Sequence, residues 1–327
     1  MAIERSPRPD RCGTSGGVTR ALGVLTGLGA LLLSHVAAAY CIATTCDPKK
    51  QKCAVREPCE GKDCCVIEGE KLHWESRCLS FGVQENGSQL RHIPYGAADP
   101  IIRDAFGQWM KADCGGGKTP SFAMWDLGGS QGIVCDQPEF NVTKPNANVW
   151  IFRDDDWPYK DDGSTIAFTS TIYDKRTGAL LDADVEINSL HMELTTTQVP
   201  RLVQKDLASI ATHEAGHFLG MAHSTDHEAT MYTYYTPGDL KYQSLEPDDE
   251  KGICELYPPD RDAPACTQPS PAHGFSRYCG NEPDDDRTTA SCRMSAPRAE
   301  GRAGTLGTAA ALVLTAAGRR RRRARER

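Results

Sequence analysis

The strongest constraint on this chain is the spacing of three histidines and one glycine between residues 213 and 223. His213 and His217 are four residues apart, so on a helix they lie on the same side and can direct their rings at one ion. Gly220 permits the left-handed turn that ends a helix, and His223 follows three residues later. Because a catalytic zinc takes three protein ligands and keeps an open position, His213, His217 and His223 are predicted to bind one zinc ion.

Glu214 directly follows the first of these histidines. A carboxylate at that position is expected to face the open side of the metal and to act as the general base toward water. The alternative is an ordinary amphipathic helix that carries a short HExxH match by chance. The additional glycine and third histidine argue against that alternative, because they fix two more positions at the required spacing.

The extended motif resembles that of the metzincin zinc proteases, in which a methionine turn lies below the metal. Met231 stands eight residues after His223 and is the candidate for that turn. The chain resembles the matrixin family in particular at three places. These are Ser224 directly after the third histidine, the eight-residue spacing from His223 to Met231, and the segment 245–257. The resemblance implies an α+β fold with a twisted, mixed five-stranded sheet and three helices. It also implies a zinc-dependent endopeptidase whose substrate lies along an edge strand, which we place near residues 166–170.

Further metal sites are less strongly indicated. Thr233 stands where some metzincins place a tyrosine ligand, and residues 154–188 contain no histidine, so neither a tyrosine ligand nor a second zinc is predicted. Asp182, Asp184 and Glu186 alternate along a predicted strand and could hold calcium together with Asp161 or Asp162. Solvated surface carboxylates explain the same pattern equally well.

The hydrophobic patterns between residues 72 and 258 predict five strands and three helices. A helix is predicted over 100–111, with Asp99 as its N-cap and Ile102, Phe106 and Trp109 on its buried face. The motif helix has Leu207, Ile210 and Ala211 on one face, and a third helix begins at Pro247. The strands are predicted at 80–84, 121–126, 148–152, 165–173 and 183–188.

Composition divides the chain into five segments. Residues 1–39 have arginines, an apolar run and small residues, as expected of a signal peptide. Residues 40–71 are rich in cysteine and need disulfides because they lack a core. Residues 72–258 form the predicted protease domain, and 259–302 form a Pro/Asp/Ser-rich linker or stalk. Residues 303–327 are an apolar segment followed by an arginine cluster, which together with Cys292 resembles the C-terminal sorting tails of myxobacterial surface proteins.

Cysteine content and charge limit the compartment and the partners. Fourteen cysteines favour an exported protein with up to six disulfides, either secreted or attached to the bacterial outer surface. The formal net charge is −7 and becomes more negative without the arginine-rich ends, which argues against nucleic acid. Membrane contact is expected only through the terminal signals, and a monomer is expected. A binding module without turnover, or a zinc hydrolase acting on a non-protein polymer, are the alternatives to a protease acting on protein or peptide.

Overall fold

The computed structural model of the protein describes residues 39–57, 64–159, 164–263, 266, 271–278 and 288–293. The predicted signal peptide, except for its last residue, and the predicted sorting tail lie outside these residues, as do Asp161 and Asp162. Within the described part of the chain, no helix has the length and apolar character needed to cross a membrane.

One mixed sheet organises the described residues. Its strand order is β10-β5-β6-β4-β2-β3, with β3, β2, β4 and β6 mutually parallel and β5 and β10 antiparallel to their neighbours. Short pairs β1–β9 and β7–β8 lie outside it. The strands are β1 (Cys41–Ile42), β2 (Cys78–Val83), β3 (Ala123–Asp126), β4 (Val149–Phe152), β5 (Ala167–Tyr173), β6 (Leu180–Ile187), β7 (Leu194–Thr195), β8 (Lys205–Asp206), β9 (Met221–Ala222) and β10 (Thr288–Arg293).

All five predicted strands are confirmed, as β2 to β6. The central strands are buried on both faces, as expected of parallel strands covered by helices, and every residue of β2 and β4 is buried. The prediction missed the sixth strand, β10, which pairs with β5. As a result β5, which we expected to form the edge of the sheet, has a neighbour on each side.

The three predicted helices are present as α1 (Tyr95–Met110), α2 (Leu207–Phe218) and α3 (Pro247–Leu256). The predicted start of α1 was wrong, since the helix begins five residues earlier and contains Pro100 in its second turn. Asp99 is therefore not an N-cap, and its carboxylate instead pairs with Arg103 one turn later. The predicted buried face is confirmed, because Ile102, Phe106 and Trp109 have no exposed surface.

The cysteine-rich segment packs directly on the predicted protease domain. Ile42 belongs to the main hydrophobic core, and β1 pairs with β9 just after the motif helix. Four disulfides join pairs of described cysteines, and Cys64 and Cys135 are also disulfide-bonded. Two of the four staple this segment internally, which fits its small share of core residues. The four pairs are Cys41–Cys65, Cys46–Cys53, Cys78–Cys266 and Cys114–Cys254.

The described part of residues 259–302 also contacts the domain. The sequence predicted a linker or stalk here, and an extended stalk would not make such contacts. Cys266 is bonded to Cys78 at the start of β2. Arg277 donates from its guanidinium to the carbonyl of Gly132, and its own carbonyl accepts from the backbone N–H of Val134. Phe275 packs against a small cluster of buried residues around β4. This region therefore adds covalent and polar contacts to one side of the sheet.

Candidate metal centre and catalytic site

Helix α2 carries the first half of the motif and is fixed at its start by Asp206. The Asp206 carboxylate accepts from the backbone N–H of Ser209 at 2.8 Å, which caps the first turn. Further along, the indole N–H of Trp109 in α1 donates to the carbonyl of Thr212 at 2.8 Å. The ring of Phe218 lies 5.0 Å from that of Phe106. These contacts hold α2 against α1 and fix the direction of the side chains that follow Thr212.

The chain leaves α2 through Gly220, which has a φ of +100°. Phe218 is the last residue of the helix, and the N–H of Gly220 donates to the carbonyl of His217. A Cβ atom on Gly220 would overlap the carbonyl oxygen of Leu72. The turn therefore needs glycine both for its left-handed conformation and for the close approach of the backbone at Leu72. It reverses the chain and brings His223 back toward the helix.

The three histidines converge. One ring nitrogen from each of His213, His217 and His223 lies within 4.8 Å of the others, and among the described residues these three form the group of three or more potential ligands that could hold a metal ion. The Nε2 atoms of His213 and His217 are buried and have no hydrogen-bond partner. Two unpartnered buried nitrogens directed at one point are costly unless an ion binds there, so the residues fit a zinc ion.

Backbone carbonyls fix the orientation of the two helical histidines. Nδ1 of His213 donates to the carbonyl of Thr230 at 2.7 Å, and Nδ1 of His217 donates to the carbonyl of Met221 at 2.9 Å. Because a carbonyl only accepts, the proton resides on Nδ1 and the lone pair on Nε2 remains available for a metal. Burial lowers the pKa of His213 to about 3 and that of His217 well below its usual value. Both rings are therefore neutral, which is the form that binds zinc.

Glu214 lies beside the histidines and is completely buried. Its Oε2 accepts a hydrogen bond of 2.5 Å from the hydroxyl of Thr169 on β5, while its Oε1 has no partner. Burial raises the pKa of Glu214 to about 8, and the hydrogen bond from Thr169 opposes that shift. One oxygen is thus anchored and the other is left to interact with water or substrate.

Comparison with known protein families gives a direct match to part of this chain. Residues 132–258 match the family model described as matrixin. Over these residues the chain is similar to the matrixins. This similarity supports a zinc metalloendopeptidase, and the matched range contains all three histidines, Glu214 and Met231.

Individual relatives agree with this assignment over short stretches. Matrilysin from Homo sapiens is 55% identical over 47 residues, covering 14% of this chain and 18% of the relative. Metalloendoproteinase 5-MMP from Arabidopsis thaliana is 39% identical over 82 residues, covering 25% and 22%. Matrix metalloproteinase-C from Caenorhabditis elegans is 23% identical over 209 residues, covering 57% and 29%. The chain thus spans less than a third of the length of these curated relatives.

Met231 packs against α2 at Gly216. It is fully buried, and its sulfur lies so close to Gly216 that a Cβ atom there would overlap it. The buried carboxylate of Asp249 in α3 accepts from the N–H groups of Thr230 at 2.7 Å and Met231 at 3.0 Å. Asp249 therefore holds the turn whose Thr230 carbonyl orients His213.

Sequence reasoning missed two residues that shape this site, Thr169 and Asp249. Thr169 is 45 residues from Glu214 in sequence, and a threonine in a β-branched strand carries no signal of its own. Asp249 does carry a signal, since it stands in an acidic first turn, but that signal predicts only favourable interaction with the helix dipole. Three tyrosines, Tyr232, Tyr234 and Tyr235, follow Met231 closely. Of these, Tyr235 has its hydroxyl engaged, as acceptor from the N–H of Asp206 and donor to the carbonyl of Asp239.

Proposed function

We propose that this protein is an exported, zinc-dependent endopeptidase in which His213, His217 and His223 bind the metal and Glu214 is the general base. The observation that carries the proposal is the convergence of three histidine nitrogens beside a buried carboxylate with one unpartnered oxygen, within a region similar to the matrixins. Disulfides in the described residues support export, because they persist in oxidising compartments. Attachment to a bacterial outer surface is the more specific form of this proposal.

The residues divide the work of hydrolysis among them. When bound, zinc supplies a Lewis acid that polarises the scissile carbonyl, activates water and favours the carboxylate form of Glu214. Glu214 removes a proton from the attacking water at Oε1 as the new C–O bond forms. The same oxygen then delivers that proton to the departing nitrogen as the C–N bond breaks. Thr169 keeps Oε2 hydrogen-bonded throughout, so that the carboxylate does not rotate away.

An extended substrate is proposed to pair with β5. This strand lies against α2 and carries Thr169, so a peptide paired with the side of β5 that faces away from β6 would pass beside Glu214. Main-chain pairing gives affinity with little dependence on sequence, and side chains on alternate faces provide selectivity. The substrate class is therefore unfolded or flexible protein segments.

Digestion of casein by the purified full-length chain tests the proposal. We expect fragments whose two ends both arise from internal cuts, as an endopeptidase produces, together with about one zinc per chain. Mass spectrometry of the fragments and metal analysis of the protein measure the two quantities. Cleavage of bacterial wall polymers with no cleavage of any protein substrate would contradict the proposal.

A calcium site is proposed at the buried carboxylates of β6. Asp184 accepts from the N–H groups of Val149 and Glu139, whereas Oδ1 of the fully buried Asp182 has no partner. Burial raises the pKa of both groups well above the usual range. A bound cation would offset the free-energy cost of burying them in the charged form. The sequence suggested Glu186 as a further calcium ligand. It is ion-paired with Arg153, so we do not expect it to bind calcium.

Added calcium is expected to raise the unfolding temperature of the zinc-loaded protein, since a ligand at 100 times its Kd stabilises the folded state by about 2.7 kcal/mol. Asp182→Asn should abolish the shift, and the matched surface change Asp260→Asn should retain it. Thermal unfolding in calcium and in magnesium measures the effect. An unchanged unfolding temperature in the parent protein, or an equal shift in Asp182→Asn, would exclude calcium at this site.

A further inference from the structure

The free side of β5 is occupied by another part of the same chain. Strand β10 pairs with it antiparallel over six residues, from Thr288 opposite Tyr173 to Arg293 opposite Phe168. The other side of β5 pairs with β6. From Phe168 to Tyr173, the side of β5 that could pair with an extended substrate therefore faces β10 instead.

The register places β10 beside the candidate catalytic residues. The backbone of Cys292 lies opposite Thr169, the residue whose hydroxyl holds Glu214. Directly opposed residues in an antiparallel pair have Cα atoms about 4.5–5.5 Å apart. Strand β10 thus crosses the position where a substrate must pass to reach the Oε1 atom of Glu214.

The burial of the site supports a covered state. His213 and Glu214 have no exposed surface, and His217 is 3% exposed. A general base must contact both water and the scissile bond, and a segment lying across its approach would bury Glu214 in this way while His223 stays partly exposed. The strand that lies next to the site in this structure is β10.

We propose that residues 288–293 are an intramolecular inhibitor that competes with substrate for β5 and keeps the enzyme latent. The inference rests on the proposed endopeptidase function. A tethered segment acts at an effective concentration in the millimolar range, which is enough to compete with substrates of ordinary KM. Its sequence, Thr-Thr-Ala-Ser-Cys-Arg, has two β-branched residues and no proline, which allows it to form the strand.

Competition of this kind has a specific kinetic signature. Only the molecules with β10 released bind substrate. The observed kcat/KM is therefore the value of the released enzyme multiplied by the fraction of molecules in that state. Saturating substrate displaces the strand, so kcat is unchanged. Release of β10 is therefore expected to lower KM, with a rise in kcat/KM on the order of tenfold or more.

Two neighbouring proline substitutions in the full-length chain test the proposal. Along an antiparallel strand, the N–H groups of successive residues point alternately toward and away from the neighbour. Of Ala290→Pro and Ser291→Pro, one therefore removes a hydrogen bond to β5 and the other removes an outward N–H that an outer strand can lose. We expect one variant to show the tenfold rise in kcat/KM at unchanged kcat, and the other to match the parent.

Hydrogen exchange gives a readout that does not depend on activity. In the Glu214→Gln background, the activating proline should also increase amide exchange along β5, whereas its neighbour should not. Cys292→Ser leaves the backbone pairing intact, so this variant should keep the kcat/KM of the parent. If Cys292→Ser alone activates to the same extent, a thiol rather than strand pairing blocks the site, and the proposal is wrong.

The remaining outcomes separate the two hypotheses. Casein cleavage by the parent with neither proline altering kcat/KM overturns the inhibitor and leaves the endopeptidase intact. Increased exchange along β5 in one variant with no cleavage by any variant overturns the endopeptidase, and the inhibitory role with it.

Discussion

Replacement of Glu214 by glutamine is expected to lower kcat/KM for casein peptides on the order of 10³-fold. General-base catalysis contributes about 10² to 10⁴ in rate, and an amide of the same shape cannot take the proton from water. The amide oxygen can still accept the hydrogen bond from Thr169, so the geometry of the site is retained. The folded state should not be destabilised, because the fully buried Glu214 already has its pKa raised by burial and a neutral side chain suits that environment.

The matched control is Glu75→Gln, the same change of charge on an exposed side chain. It is expected to leave kcat/KM at the parent value. Zinc content and unfolding temperature should be equal in all three proteins, so that a loss of activity is assigned to the proton transfer. Equal casein cleavage by Glu214→Gln and the parent would end the assignment of Glu214 as the base.

Short-range patterns were sufficient to predict that the three histidines converge. A helical repeat places residues four apart on one face, so the geometry of His213 and His217 depends on only one turn of backbone. The turn at Gly220 is equally local, since a left-handed φ is strongly preferred by glycine over other residues. Strands β2 to β6 were predictable because their apolar and β-branched runs are several residues long and end at polar loops.

The start of α1 shows how a local signal can be overridden. Asp99 followed by Pro100 is a good N-cap and first-turn pair, yet the helix starts at Tyr95. Ala98 and Ile102 are both fully buried in the main core, one before and one after the proline. Their packing favours a helix that continues through Pro100, although the proline has no N–H with which to donate to the preceding turn.

The strand β10 could not be predicted from its own sequence. Its residues are small and polar, and they follow a segment whose composition is typical of a linker. It forms a strand because β5, more than a hundred residues earlier, offers unpaired backbone groups. The hydrogen bond from Thr169 to Glu214 depends on long-range packing in the same way. Both features lie beside the candidate site, and both become visible only when the sheet is assembled.

The Gly220→Ala substitution is expected to destabilise the folded protein by about 3 kcal/mol or more. A non-glycine residue at a φ of +100° costs on the order of 1–3 kcal/mol, and the new methyl group would also overlap the carbonyl of Leu72. That carbonyl belongs to backbone and cannot move like a flexible side chain. The neighbouring Ala43 adds to the constraint, since its N–H donates to the carbonyl of Gly220 at 2.8 Å.

Gly238→Ala is the matched control, because it shares the backbone conformation but has space. Gly238 has a φ of +88°, and the nearest atom to an added Cβ is the Pro200 carbonyl at 3.6 Å. The free energy of unfolding of Gly238→Ala should fall only by the cost of the unfavourable φ, about 1–2 kcal/mol. Urea unfolding of both variants measures the difference, and zinc titration measures its consequence. Because the turn at Gly220 directs His223 toward the other two histidines, Gly220→Ala should bind zinc more weakly than the parent. Gly238→Ala should bind zinc as the parent does. Equal losses of stability and of zinc affinity in the two variants would contradict this role of the turn.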